Sequence, residues 1–469
     1  MQSQVIDKTE IFERMPIGKA LATMAIPTIV SQLITLAYNM ADTWFIGQTD
    51  DPYMVAASSL VLTVFLMTTA LANLFGVGGG TLTVRLLGRK REDEARRVAS
   101  LSLVMAGGAA LVFSGLCFVF MDPLLWTLGA SEKTIGYAQQ YLLFVVVLGG
   151  LPTVLSATMS AMLRNVGYSK KAAFGLSMGG VLNVILDPIL MFVVMPNGYE
   201  VVGAALATML SNCAVMVYFI LMYRKVRDDC ILELPRRIER IERESVRSLF
   251  GVGVPAAMSV LLFDVTNMVI NWLSSGYGDF QLAAMGIVLK VERLPLNIGI
   301  GICLGMVPLI AYNYASGDFA RMRRFFSAAR NAGLCVAVVS VVLYRFGAPW
   351  LIRAFIGNAE TVAYGTQFLQ ARCFATPFMF LSFHMVHFMQ AVDRGKTSFI
   401  LAAIRQLALN IPILLVLNHF FGMRGIVWTQ MTADILNVGV SYLVYAGVLR
   451  RTIPRGDHRP GEPADGGQG

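Results

Sequence analysis

Twelve apolar runs of about 20 residues or more constrain the fold of this chain more than any other feature of its sequence. Each run can cross a hydrocarbon core of about 30 Å as a helix, because a helix rises about 1.5 Å per residue. Backbone polar groups in lipid must be satisfied internally, and runs of this length achieve that as helices rather than as barrel strands. The sequence therefore predicts an all-α integral membrane protein with twelve transmembrane helices.

The predicted spans fall into two sets of six, separated by the longest polar connection. They cover residues 21–46, 54–84, 98–121, 138–163, 172–195, 201–223, 249–273, 281–314, 327–349, 364–391, 397–420 and 426–449. We predict a cytoplasmic N-terminal segment (1–20), an N-lobe of helices 1 to 6 (21–223), a cytoplasmic linker (224–248), a C-lobe of helices 7 to 12 (249–449) and a disordered cytoplasmic tail (450–469). The tail is predicted to be disordered because it is rich in Pro and Gly and has few apolar residues.

The net charge of +9 does not indicate a nucleic-acid partner, because the basic residues lie in short loops between spans. Lys and Arg cluster in alternate loops, whereas the loops QTDDPY, PNGYE and SSGYGDF contain none. This bias predicts that both termini are cytoplasmic and that the protein is a multi-pass component of the cell inner (plasma) membrane. No nucleophile and base constellation emerges, so we do not expect an enzyme.

The two sets of spans resemble each other in sequence. AIPTIVSQLITLAYNMADTWFIG, which contains Pro27, parallels GVPAAMSVLLFDVTNMVINWLSS, which contains Pro255. LDPIL, from residue 186, likewise parallels NIPIL, from residue 410. Each half has an even number of spans, so the repeat is parallel, and a duplicated half is the signature of a transporter.

Asn183 and Asp187 interrupt the otherwise apolar stretch GGVLNVILDPILMF. They are four residues apart and therefore share one face of a helix. A carboxylate inside a hydrophobic span is costly and usually faces a bundle interior or a wet cavity, which predicts an ion or proton site. The alternative is an internal helix N-cap, because Pro188 follows Asp187 and proline suits a first helical position.

Asp42 in the first span and Thr208 in the sixth span are predicted to lie in the same outer half of the membrane. Thr208 would be about 12 Å below the start of its span at Glu200. Carboxylate, amide and hydroxyl oxygens are hard ligands that suit Na⁺ or a protonated carboxyl network. Thr208 could instead bond its own helix backbone. We expect no cofactor other than a coupling ion, Na⁺ or H⁺.

The second half does not duplicate the acidic pair, because the counterparts of Asp42 and Asp187 fall near Ile270 and near Asn410 or Ile411. Asp264 interrupts span 7 instead, with Asn267 on the same helical face.

Lys290, Glu292 and Arg293 interrupt span 8 just before Pro295. They predict a cavity wall or an intramembrane ion pair, in which Asp264 could take part, or an internal salt bridge at a kink. Arg405 in span 11 is expected to snorkel to the cytoplasmic side and to be structural.

These features resemble the multidrug and toxic compound extrusion (MATE) family over nearly the whole chain up to about residue 450. The resemblance rests on Pro27 with SQL, MADTWFIG around Asp42, NVILDPIL around Asp187 after the RNVGYSK loop, and GAALAT ending at Thr208. It implies a V-shaped pair of six-helix lobes with a central cavity that opens to either face in turn. In the archaeal and bacterial DinF-like branch, the N-lobe cation site matches Asp42, Asn183, Asp187 and Thr208.

The resemblance further implies an antiporter in the bilayer that exports amphipathic, usually cationic, organic compounds in exchange for Na⁺ or H⁺. Because both lobes lie in one chain, we expect it to function as a monomer. The alternative is a flippase for a lipid-linked precursor with the same superfamily architecture, for which Lys290 and Arg293 provide basic groups. Residues proposed for the substrate cavity are Asn39, Met40, Asp264, Asn267, Lys290, Glu292 and Arg293.

Overall fold

A computed structural model describes residues 8–49, 51–196, 198–227, 230–232 and 243–452. Within these ranges the chain is almost entirely helical and has no strand. The predicted tail beyond residue 452, most of the predicted linker and the side chain of Asp264 lie outside the described residues. The prediction of an all-α protein is confirmed.

The helices divide into a short N-terminal helix and two lobes. Helix α1 spans Lys8–Glu13. The N-lobe contains α2 (Ile17–Gly47), α3 (Pro52–Gly88), α4 (Glu92–Val119), α5 (Met121–Thr127), α6 (Ile135–Leu142), α7 (Gly150–Asn165), α8 (Ser169–Ile189) and α9 (Glu200–Val226). The C-lobe contains α10 (Arg243–Ser275), α11 (Asp279–Ser316), α12 (Phe319–Arg353), α13 (Ala359–Arg372), α14 (Thr376–Ala391), α15 (Gly395–Ala403), α16 (Ile411–Phe421) and α17 (Met423–Thr452).

Irregular turns join several of these helices into single spans. The π-helical segments Leu143–Leu148 and Leu190–Val194 follow α6 and α8, and a third, Ile404–Asn410, joins α15 to α16. Among the described residues, ten helices are long and apolar enough to cross a membrane, and α6 and α7, which are bent by 43°, would together make an eleventh span. The predicted span 364–391 is instead α13 and α14 joined by a 3₁₀ turn, where Pro377 starts a new helix.

Aspartate side chains cap the starts of two long helices, α3 and α12. The Asp51 carboxylate accepts a hydrogen bond from the backbone N–H of Tyr53 at 2.8 Å, and Asp318 accepts one from the backbone N–H of Arg321 at 2.8 Å. Each cap satisfies one of the backbone donors that a helix leaves unpaired at its first turn. Gly317 ends α11 with a φ of 84°, a left-handed conformation that glycine adopts without strain.

The outer surface of the helices carries large apolar side chains that face away from both lobes. Phe346 and Trp350 on α12 are each 80% exposed, and Leu443 on α17 is 77% exposed. A soluble protein rarely leaves such contiguous apolar surface uncovered, whereas a bilayer covers it. The protein is therefore a multi-pass membrane protein.

Helix α1 connects the two lobes at one end of the bundle, which we name the α1 end. The Arg321 side chain on α12 donates from Nε to the carbonyl of Phe12 at 2.6 Å, and the Phe12 ring stacks on Tyr312 of α11 with centroids 4.8 Å apart. On the N-lobe side, Lys90 Nζ lies 2.7 Å from Glu13 Oε1. The N-terminal helix is thus bonded to both halves of the repeat.

Small residues bring the lobes together at two helix crossings that the repeat relates to each other. A Cβ added to Gly78 on α3 would lie 2.9 Å from the Cα of Gly253 on α10. One added to Gly305 on α11 would lie 2.6 Å from the Cα of Ala25 on α2. Gly305 and Gly253 are the repeat counterparts of Gly78 and Ala25, so the close approach follows the internal symmetry of the sequence.

Candidate cation site in the N-lobe

The structure brings Asn183, Asp187 and Thr208 together in the interior of the N-lobe. Asn183 Nδ2 donates to Asp187 Oδ1 at 3.2 Å, one turn further along α8, and to Thr208 Oγ1 on α9 at 3.3 Å. Asp187 is fully buried, Asn183 is buried and Thr208 is half-buried. The predicted contact within one helical face is therefore present, and it extends to the neighbouring helix.

Helix α8 continues through Pro188 to Ile189, so Asp187 does not cap a new helix. Pro188 has no backbone N–H to donate, and the helix adjusts by widening into the π-helical segment Leu190–Val194, which follows at once. The internal N-cap interpretation of Asp187 is therefore wrong. The carboxylate is left for another partner, as the ion-site interpretation requires.

Gly203 explains how α9 comes close enough for Thr208 to reach Asn183. A Cβ on Gly203 would lie 2.7 Å from the Cα of Met191 and 2.8 Å from the carbonyl oxygen of Leu190. Only glycine fits this approach of α9 to the π-helical segment. Thr208, five residues later, then faces α8.

Asp42 on α2 provides the second carboxylate of the site. It lies close enough to Asp187 for the two charges to interact, and α2 is held against α8 by a crossing at Gly180. A Cβ added to Gly180 would lie 3.0 Å from Cδ1 of Tyr38, one turn before Asp42. The structure thus places all four predicted site residues in one region, although their role stays a prediction.

Two tyrosines border the carboxylates and were missed from the sequence. Tyr141 on α6 lies within electrostatic range of both Asp42 and Asp187, and Tyr38 lies within range of Asp42. Tyr38 could have been found, because it precedes Asp42 by four residues and shares its helical face. Nothing in the sequence near Tyr141 connects it to span 1 or span 5.

Three buried oxygens at this site accept no hydrogen bond from any residue that the structure describes. They are Asp42 Oδ1, Asn183 Oδ1 and Asp187 Oδ2. A buried polar atom without a partner is costly, and in a native structure it calls for a specific occupant. Carboxylate and amide oxygens, with the nearby Thr208 hydroxyl, form a donor set that fits Na⁺ or a shared proton.

The predicted charges of span 8 separate into two environments on α11. Glu292 is buried and forms a two-point ion pair with Arg372 at the end of α13, with Nε to Oε1 and Nη2 to Oε2 distances of 2.9 Å each. The interpretation of an internal salt bridge fits Glu292, whereas Lys290 and Arg293 are exposed. Arg372 was not considered from the sequence, because it lies two spans away.

Lys290 lies on one face of α11. Nearer the α1 end, the same face contacts the N-lobe. Gly301 on this face meets α2, since a Cβ there would lie 2.7 Å from the Cα of Ile29. Lys290 is three helical turns before Gly301 and so lies above it on the same face, with Arg293 at its edge. This face of α11 continues beyond the contact of Gly301 with α2.

The other described substrate-cavity candidates, Asn39, Met40 and Asn267, are also at least partly exposed. Asn39 is exposed and Met40 half-buried on α2, where they continue the face of Ile29 beyond the lobe contact. Asn267 on α10 is half-buried. These positions agree with a cleft between the lobes, but they do not by themselves assign a substrate.

A family model and two multidrug export proteins match this chain over most of its length. The MatE family model matches residues 27–189 and again residues 255–416, once in each lobe. The multidrug export protein MepA of Staphylococcus saprophyticus is 32% identical over 451 residues, covering 95% of this chain and 97% of that protein. MepA of Staphylococcus aureus is 31% identical over 428 residues, covering 91% and 92%.

Among solved structures, the outward-facing conformation of a multidrug resistance MATE family transporter of the MOP superfamily superposes with a TM-score of 0.89. It is 21% identical and covers 95% of this chain and 98% of that one. This likeness concerns the fold. The two matches of the family model reproduce the two lobes, so the predicted duplication is confirmed.

Proposed function

This chain is a member of the MATE family of multidrug and toxic compound extrusion transporters, and we propose that it exports amphipathic, mainly cationic, organic compounds in exchange for Na⁺ or H⁺. The multidrug export named for the staphylococcal relatives is the activity that we assign to it. The coupling ion is its only cofactor. The observation that carries the proposal is the group of three unpartnered buried oxygens between α2 and α8.

Charge competition explains how this site would couple two fluxes. Two carboxylates that interact inside a medium of low dielectric constant repel each other, and a bound cation or proton relieves that repulsion. Asn183 orients one oxygen of Asp187 by its hydrogen bond and leaves the other free for the ion. A cationic substrate and the coupling ion then favour different states of the transporter.

Helix α2 connects the site to the lobe interface, which supports an alternating-access mechanism. Asp42 lies near its far end, and Ala25 near its other end contacts Gly305 of the C-lobe. Pro27 lies two residues from that contact and inside the helix, where proline removes a backbone hydrogen bond and favours bending. Ion binding that shifts α2 at Asp42 would therefore change the packing between the lobes.

Orientation and assembly follow from the same proposal. The basic loops at the α1 end support cytoplasmic termini in the cell inner membrane. Both lobes needed for alternating access are present in one chain, which supports a functional monomer.

Dye efflux from reconstituted vesicles tests the proposal. A fluorescent organic cation should leave vesicles under a Na⁺ gradient or a pH gradient, and the active gradient identifies the coupling ion. Asp42→Asn and Asp187→Asn should each abolish this efflux, whereas Asp122→Asn, an exposed carboxylate on α5, should retain it. Retention of gradient-driven efflux in both site variants would contradict the proposal.

A flippase for a lipid-linked anionic precursor is the second candidate, and one observation favours it. Because Glu292 is neutralised by Arg372, the two charges that stay exposed in this part of α11, Lys290 and Arg293, are both basic. Basic groups in a cleft suit phosphate groups. Lys290→Gln with Arg293→Gln should leave cation efflux intact if the chain is an antiporter, and should abolish flipping of a lipid diphosphate if it is a flippase.

A further inference from the structure

A buried polar cluster in the C-lobe plays no part in the mechanism described above. It lies where the π-helical segment Ile404–Asn410 meets α17 and α14. Arg405 Nε lies 2.6 Å from Asp434 Oδ1, and Arg405 Nη2 lies 3.2 Å from Asp434 Oδ2. Gln430 and Ser382 also donate to this carboxylate, at 2.6 Å and 3.3 Å. We name Arg405, Asp434, Gln430 and Ser382 the C-lobe cluster.

The cluster is deep inside the protein. Arg405 is 3% exposed and Asp434 is fully buried. Arg405 lies ten residues from the start of its span at Gly395, or about 15 Å along the helix axis. The expectation that Arg405 snorkels to the membrane surface is therefore wrong, because its guanidinium turns inward to Asp434 and stacks on the Phe383 ring at 4.6 Å.

The C-lobe cluster shares one helix contact with the cation site of the N-lobe, that of the fifth span with the sixth. In both lobes a glycine on the sixth span, Gly203 or Gly425, packs its bare Cα against the fifth span. A polar residue follows that glycine after five positions, Thr208 in the N-lobe and Gln430 in the C-lobe. The two residues are therefore counterparts under the internal repeat.

An asparagine on the fifth span contacts each of these residues. Asn183 donates to Thr208 at 3.3 Å, and Asn410 donates to Gln430 at 3.2 Å. The same pair of spans is thus joined by the same kind of hydrogen bond in both lobes. The two polar sites therefore lie where corresponding spans meet, and they differ in the charged residues that they carry.

The two sites differ in their charged residues, because the C-lobe carboxylate is paired with a guanidinium. The repeat pairs Asp434 with Asn212 and Arg405 with Val181, so this carboxylate and its guanidinium are both specific to the C-lobe. Both oxygens of Asp434 accept hydrogen bonds, whereas Asp187 Oδ2 accepts none. The C-lobe carboxylate already has its cation.

We propose that the C-lobe cluster is a cation site whose cation is part of the chain, with the guanidinium of Arg405 in the position that an exchangeable ion would take at Asp434. A buried carboxylate requires a counter-charge, and a planar guanidinium with two N–H donors to one carboxylate supplies it without any ion from solution. The C-lobe cluster therefore needs no coupling ion. Removing the guanidinium leaves a vacant site shaped for a small planar cation.

Chemical rescue tests the site directly. Purified Arg405→Ala should lose several degrees in Tm relative to the native chain, and low millimolar guanidinium should restore most of that loss. Potassium at the same concentration should restore none of it, and the native chain should gain nothing from guanidinium. An equal response of the variant to potassium and guanidinium, or no response to guanidinium, overturns the proposal.

The double variant Arg405→Ala/Asp434→Ala keeps the test decisive if the single variant fails to fold. Without the carboxylate there is no uncompensated charge, so the double variant should be more stable than Arg405→Ala and should not respond to guanidinium. If the double variant is as unstable as the single variant, or gains equally from guanidinium, Arg405 does not act as the cation of this site.

A second measurement uses the native Arg405 and rests on the proposed function. Na⁺, as the coupling ion, should raise the Tm of the native chain and leave the Tm of Asp187→Asn unchanged. For H⁺, the native chain should gain Tm relative to Asp187→Asn as the pH falls, because the acid-sensitive contact of Glu13 is common to both chains. Residual stabilisation of Asp187→Asn would reveal an exchangeable site elsewhere and would count against a filled C-lobe site. Absence of any ion effect on the native chain would contradict the proposed function and leave the guanidinium rescue to decide the present proposal.

Discussion

Asn183 and Asp187, one turn apart on α8, are joined by a hydrogen bond of 3.2 Å that engages one carboxylate oxygen and leaves the other, Oδ2, buried without a partner. This relationship defines the N-lobe site more closely than the presence of two acids does. The asparagine fixes the direction of the carboxylate, so that the free oxygen is held in position rather than free to rotate. A positioned, unsatisfied acceptor is what an ion or a proton requires.

Asn183→Ala should weaken ion coupling without abolishing it. The substitution removes one oxygen of the site and the donor that orients Asp187, and the loss of a hydrogen bond to a charged group corresponds to about a tenfold change in affinity. The ion concentration for half-maximal dye efflux should rise accordingly. Asn212→Ala is the matched control, because Asn212 in the same lobe bonds Thr153 instead of the acids. Equal effects of the two substitutions would contradict the assignment.

Glu292→Gln should destabilise the C-lobe strongly. Glu292 and Arg372 are both buried, and removing one partner leaves a buried charge without compensation, at a cost of about 3–5 kcal/mol. Thermal unfolding of the purified protein measures this loss. Lys290→Gln on the exposed face of the same helix should change stability by less than about 0.5 kcal/mol. An unchanged Tm in Glu292→Gln combined with altered substrate affinity would instead make Glu292 a substrate-binding residue.

The contact of α1 with the N-lobe should depend on pH in one direction. Lys90 and Tyr312 donate hydrogen bonds to Glu13 and lower the pKa of its carboxyl group below its ordinary value of 4.5. Because the pKa is lower in the folded state, the stabilisation is present above the ordinary pKa and is lost as the pH falls through the lowered value.

Glu13→Gln should therefore lower Tm at neutral pH, and the difference from the native chain should disappear in acid. Both side chains of the Glu13 and Lys90 pair are partly exposed, so the effect should be small, about 0.2–1 kcal/mol. Glu92→Gln, an exposed carboxylate at the start of α4, serves as the control. A difference that persists unchanged at low pH would show that the effect does not come from the charge of Glu13.

Gly305→Val should separate the lobes at the α1 end. The added side chain has no room beside the backbone of Ala25, and overpacking of this kind costs about 1–3 kcal/mol. Spin labels on cysteines introduced at Glu92 and Arg324, in a chain without the six native cysteines, should report a longer distance between the lobes. Gly286→Val on the same helix meets no atom within 4 Å and should leave the distance unchanged. An unaltered distance in Gly305→Val would contradict the close crossing.

The sequence alone determined the architecture and the composition of the N-lobe site. Apolar run length fixes where helices cross a bilayer, and the repeat fixes how many lobes there are, because both depend on residues close together in the chain. Asn183 and Asp187 could be paired for the same reason, since helical periodicity places residues four apart on one face. Pro377 also marks a helix start, but its effect on the predicted span 364–391 was missed.

Only the tertiary structure decided which distant charges meet. Glu292 pairs with Arg372 rather than with its basic neighbours on α11, and Arg405 pairs with Asp434 instead of reaching the membrane surface. Periodicity shows the face of a helix on which a charge lies, but the packing of the helices decides what that face meets. The sequence around a charged residue does not show which carboxylate on another span it will meet. That contact depends on the positions of both helices and on the glycines that let them approach each other.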